Sequence, residues 1–237
     1  MSTSSPTAWI RTGLFALPLN AILTAYATRQ PQPDQVSDPQ GWAHFVSSTS
    51  YLVEHVMANV VGTMFAILGT FALGAYLTGS RATRLALWGM TLAVSGHVLF
   101  TVPGVISTFA TPALGKSYLA GNSAAMTVAF SPVLTAVFGL ALLLALVGNL
   151  LLGAAIWRSR RLPRWPGLLW ATASVLFYLL GAFLGKATTG ASLPTQPVGA
   201  LLMLIAGAAI AWAASRRRST TDEGQLPVIA HGVHYTA

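Results

Sequence analysis

Three ionisable side chains fall inside long apolar runs of this chain: Glu54, His55 and His97. Placing such a group in hydrocarbon costs about 2.5–3.5 kcal/mol on insertion scales, so each asks for a partner or a task. Glu54 and His55 are adjacent, and Asn59 follows one turn beyond His55 on the same helical face, with Glu54 pointing about 100° away. A carboxylate beside an imidazole is the pairing of general bases and proton relays, because modest changes of environment move a histidine across neutral pH. The plainer reading is a set of interfacial groups bonded to headgroups and loops. For His97 the corresponding plain reading is a neutral imidazole bonded across helices. Glu54, His55, Asn59 and His97 are the candidate ligand-binding residues; His44 belongs with an outer rim.

Depth separates them. If the second apolar run meets a boundary near Leu77, about 20 residues at 1.5 Å each fill the core and put Glu54 and His55 at the opposite headgroup level. His97, 12 residues past Leu85, lies roughly 18 Å in, close to the midplane. A hairpin turning near Ser80 and Arg81 sets His97 level with Met64 or Phe65, and His55 level with Ile106 or Ser107. The two histidines then differ in depth by about 14 Å, too far for opposite axial ligands of one haem. His97 with Met64 is the haem pairing that the count leaves open, against the commoner packing of a thioether on an imidazole. No cofactor is required by the sequence.

The elements that would position these residues are transmembrane helices. Hydrophobic residues make up 54% of the 237 and charged residues 8%, where a soluble domain carries about 25% charged. The mean hydropathy is +0.64. Six apolar runs, residues 9–27, 51–77, 85–108, 128–156, 166–185 and 198–215, are each long enough to cross a bilayer. The expected fold is an all-α integral membrane protein, a bundle of six transmembrane helices over residues 1–218, followed by a disordered cytoplasmic tail at 219–237. Reading Arg11, the apolar run and Ala25-Tyr26-Ala27 as a cleavable signal peptide gives an alternative with five spans. Pro132 suits a kink or a first turn.

The chain contains no cysteine, which excludes disulfides, iron–sulfur clusters and thiol nucleophiles. The net charge of +8 would suggest nucleic acid in a soluble protein, but here it marks one side of a membrane. Ten of the 13 basic residues, Arg11, Arg81, Arg84, Arg158, Arg160, Arg161, Arg164, Arg216, Arg217 and Arg218, fall on one side, leaving Arg29, Lys116 and Lys186 for the other. The positive-inside rule makes the crowded side cytoplasmic and places both termini there. The alanine-, arginine- and tryptophan-rich composition suits a bacterial cytoplasmic membrane. Residues 28–50 and 109–127 form longer outer loops, able to hold a lid or an interfacial helix, with Trp42 suited to the headgroup level.

Small residues, among them Gly69, Gly74, Gly181, Gly185 and Gly207, offer helix-packing faces within the bundle or between copies. Phosphate-cradling glycine loops, nucleophilic triads and clustered metal ligands are not evident, and no motif names a family. The leading expectation is a protein that binds or transports an apolar or amphipathic small molecule in a pocket open to the outer leaflet. An intramembrane enzyme acting on a lipid or isoprenoid, and a structural subunit of a membrane complex, are the alternatives. Expected partners are membrane lipids and other membrane subunits or copies.

Overall fold

The computed structural model describes residues 6–128, 131–189 and 192–216. The expected tail at 219–237 lies outside the described residues, as do Arg217 and Arg218. Every regular element among the described residues is helical. Six helices are long and apolar enough to cross a membrane: Thr7–Ala27, Thr49–Leu77, Thr83–Leu119, Pro132–Ser159, Trp165–Thr188 and Thr195–Arg216. Hydrocarbon offers backbone N–H and C=O groups no partners, so a chain this apolar closes its hydrogen bonds within each helix.

The spans pack in chain order, each against the next, and the sixth returns against the first. Their successive ends therefore alternate between two faces. One is the basic end, where Arg81, Arg158, Arg164 and Arg216 cluster; the other is called the outer end here. The main core gathers Leu14, Leu17, Leu73, Leu77, Leu152, Ile156, Trp170 and Ile210 from five of the six spans, with Ala86 and Ala93 from the third.

The first span is broken, as Pro6–Gly13 and then Ala16–Ala27. Pro18 has no N–H to offer the carbonyl of Leu14, which instead accepts from Leu17 N at 3.2 Å in a tighter turn. This span is integral to the packing. Leu14 and Leu17 are buried, and a Cβ on Gly69 or Gly207 would lie 2.8 or 3.1 Å from Leu17. Pro132 does not kink the fourth span. It occupies the first turn, where its missing N–H costs nothing, and Ser131 caps that turn by accepting from Val133 N at 3.1 Å.

The closest helix pair is the third with the fourth. Gly89, Ala93 and Gly96 face Ala141, Ala145, Gly148 and Leu152 so closely that a Cβ on Gly96 would lie 2.5 Å from Ala145 N and one on Gly89 2.9 Å from Leu152 N. Small residues at spacings of four and three lie along one face, and this lets two backbones approach where apolar burial from water supplies no drive. Gly74 and Gly181 likewise abut Met90 and Gln196 inside the bundle. The second and fifth spans each widen into a π-helical stretch, Val56–Gly62 and Val175–Leu184.

The two outer loops are not loops throughout. Pro39–Val46 forms a helix capped by Asp38, whose carboxylate accepts from Gly41 N at 2.9 Å. It packs on Thr111–Leu119, the outer extension of the third span, around a small second core of Trp42, Ala43, Val46 and Tyr51. Trp42 is 3% exposed. It is the centre of this outer cap, not a headgroup anchor.

Candidate functional site

The polar side chains of the outer end are joined mostly to one another and to backbone. Glu54 is 3% exposed, and its Oε1 accepts from Arg29 Nη2 at 2.7 Å. Arg29 also lies over the Tyr26 ring, 3.7 Å from its centroid, and donates to Tyr26 O at 2.9 Å. A charge that would be untenable alone in this position is thereby held by a cation at the bundle's edge.

His55 turns back on its own helix. Its ring stacks on Tyr51 with centroids 3.7 Å apart, and Nδ1 meets Tyr51 O at 3.0 Å. Tyr51 in turn donates from its hydroxyl to Ser107 O at 3.1 Å. Asn59, within the π-helical stretch, donates to Gly104 O at 3.4 Å and Thr108 Oγ1 at 3.2 Å. The second span thus runs beside the third with Tyr51 reaching Ser107 and Asn59 reaching Gly104 and Thr108. Tyr51 and Asn59 therefore bond the second span to the third, while His55 stays within its own helix.

His97 stands apart from this cluster. It is 8% exposed, and no hydrogen bond reaches its ring among the described residues. Met64 is 60% exposed and points away from the bundle, so it does not share an enclosure with His97 and the haem pairing is not assembled. Among the described residues no three His, Asp or Glu side chains converge as metal ligands. The structure thus unites Glu54, His55 and Asn59 at one end and leaves His97 alone. Glu54 is committed to the Arg29 guanidinium.

The open space at this end lies elsewhere. A cleft of ≈ 580 Å³ runs between the two outer segments, lined by Gln35, Val36, Pro39, Tyr118, Met126 and Val128 among others. None of the four candidates lines it. Its near wall is shaped by Asp34, whose carboxylate accepts from Val36 N at 3.0 Å, Ser37 N at 2.8 Å and Ser37 Oγ at 3.0 Å. Those donors hold the Asp34 carboxyl below its usual range. Gln35 reaches across toward Met126, with Nε2 3.8 Å from Sδ.

Two polar contacts were not singled out by reasoning on charge alone. Asn149 is 2% exposed in the fourth span; it donates to Ala145 O at 2.8 Å and accepts from Trp170 Nε1 of the fifth at 2.9 Å. An asparagine in the middle of an apolar run is a visible signal, though its partner is not. At the basic end Arg161 Nη1 donates to Tyr76 O at 2.9 Å, closing the last turn of the second span.

Six apolar spans stitched by buried polar bonds define a polytopic helical membrane protein. No family model, curated protein or solved structure matches the chain.

Proposed function

We propose that the protein binds or carries an apolar or amphipathic small molecule at its outer end, in a bacterial cytoplasmic membrane with both termini cytoplasmic. The observation that carries this reading is the open ≈ 580 Å³ cleft between the two outer segments, within the size range of small-molecule sites. Its walls combine Val36, Pro39, Met126 and Val128 with the polar tips of Gln35 and Tyr118, which suits a ligand with a long apolar part and a small polar head. The orientation rests on the arginine count and on exposed tryptophans near the basic end, Trp9, Trp88, Trp157, Trp165 and Trp212, at the level where aromatic rings meet headgroups.

The test is native mass spectrometry of protein extracted in a mild detergent, followed by lipid identification. Val36 borders the cleft and is 90% exposed, so Val36→Trp adds bulk at its edge without disturbing the core. A copurifying amphipathic molecule that is depleted several-fold in this variant supports the reading. Equal retention in both proteins removes it.

A further inference from the structure

The basic end holds a recess of a different chemistry. A cavity of ≈ 390 Å³ lies between the turn joining the second and third spans and the end of the fourth, lined by Arg81, Ala82, Thr83, Arg84, Leu85 and Arg158. All three arginines are exposed, and their guanidinium groups make no ion pair or hydrogen bond among the described residues. Their neighbours are engaged: Arg161 holds Tyr76 O, and Arg164 and Arg216 lie over Trp157 and Trp212. Three uncompensated cations around one small space create a field that draws in an anion.

Two further features define that anion. The third span starts in the wall of the recess with no acidic residue in its first turn; Ser80 accepts from Ala82 N and Thr83 N, and the positive dipole end of the span adds to the guanidinium field. The level is that of the membrane surface: Trp88, one turn past Arg84, is 65% exposed, and Trp157, beside Arg158, is 44% exposed. Such exposed indoles sit among headgroups. Arginine presents a planar fork that matches phosphate oxygens two at a time.

We infer that this recess binds the phosphate of an anionic phospholipid, held by Arg81, Arg84 and Arg158 with its acyl chains in the surrounding bilayer. This site is independent of the outer cleft and stands whether or not the cleft binds a ligand.

Native mass spectrometry of the full chain in micelles doped with equal amounts of phosphatidylglycerol and phosphatidylcholine tests it. Each arginine at an anionic surface contributes roughly a fivefold preference, so phosphatidylglycerol adducts should exceed phosphatidylcholine adducts by at least about that factor. The preference should vanish in R81Q/R84Q/R158Q and persist in R160Q/R164Q/R216Q, which removes the same charge outside the recess. Should the first triple variant fail to fold, R81K/R84K/R158K, which keeps charge without the fork, should show a reduced preference. Equal loss in the recess and control variants, no preference in the wild type, or an undiminished preference in the lysine variant would overturn the assignment. Complete displacement of the lipid by equimolar inorganic phosphate would overturn it as well, marking a site for soluble phosphate.

Discussion

Arg29 Nη2 and Glu54 Oε1 lie 2.7 Å apart and join the end of the first span to the outer start of the second. The two side chains are unequal: Arg29 is 39% exposed and Glu54 4%. Removing the arginine strands a buried carboxylate, whereas removing the carboxylate's charge leaves a guanidinium that water can still reach. Breaking a fully buried pair costs about 3–5 kcal/mol, and solvent screening at Arg29 lowers the expectation for Arg29→Ala to about 1–2 kcal/mol. Glu54→Gln keeps a hydrogen-bond acceptor and should cost less than about 1 kcal/mol. Thermal melts in detergent read the order directly, and a larger loss for Glu54→Gln would contradict the assigned roles.

The seam between the third and fourth spans predicts a sharper effect. A Cβ at Gly148 would overlap the backbone nitrogen of Ala93, and one at Gly96 would lie 2.5 Å from Ala145 N. Backbone cannot step aside as a flexible side chain does. Gly148→Ala and Gly96→Ala should each destabilise by about 1–3 kcal/mol through overpacking. Gly139, in the same span with nothing within 4 Å of its Cβ position, is the control, and Gly139→Ala should be neutral. Melting temperatures of the three variants that did not separate in this way would mean that the two backbones are not in contact.

Asn149 and Trp170 form a polar bond inside the core, 2% and 4% exposed. Trp170→Phe preserves most of the volume but leaves Asn149 Oδ1 without its 2.9 Å donor. Interhelical bonds of this kind contribute about 0.6–2 kcal/mol in membranes, and the variant should lose that amount. Adding Asn149→Leu should recover part of it, because no polar atom then remains unpaired. The comparison is a double-mutant cycle, and strict additivity would rule out the bond.

The parts of this architecture that can be read from sequence are those governed by one-dimensional rules. Six runs of apolar residues gave six spans because hydrocarbon thickness fixes helix length. The turn near Ser80 makes the second and third spans an antiparallel hairpin, and a constant helical rise brings the outer part of one beside the outer part of the other. Pairing is a different kind of information. Counting charges placed Arg29 at the outer side, but nothing in its neighbourhood in sequence points to Glu54, 25 residues on. With 22 glycines in the chain, the stripe Gly89-Ala93-Gly96 does not stand out from others that pack less closely. The outer cap was hidden for a related reason: Trp42 among polar neighbours reads as an interfacial anchor until Thr111–Leu119 is seen to cover it. The π-helical stretch at Val56–Gly62 carries no residue signature, yet it decides where Asn59 points.

Acidification should loosen the cleft through Asp34. Its carboxylate accepts three hydrogen bonds from Ser37 and Val36, and these hold its folded pKa below the ordinary 3.8. A depressed carboxylate pKa means that the folded turn prefers the charged form, so its contribution is complete above pH 3.8 and is lost as pH falls through the folded value. Val36 belongs both to this turn and to the cleft wall, so protonation releases part of the wall that a ligand would touch. A carbon-detected NMR titration of Asp34 in micelles should give a midpoint below 3.8, and ligand retention should fall over the same range. Asp34→Asn, which cannot ionise and offers one acceptor oxygen in place of two, should show reduced retention at neutral pH and no further change on acidification. A midpoint at or above 3.8, or retention in Asp34→Asn that still tracks pH in this window, would separate the turn from the cleft and leave the wall to be held by Gln35 and Met126 alone.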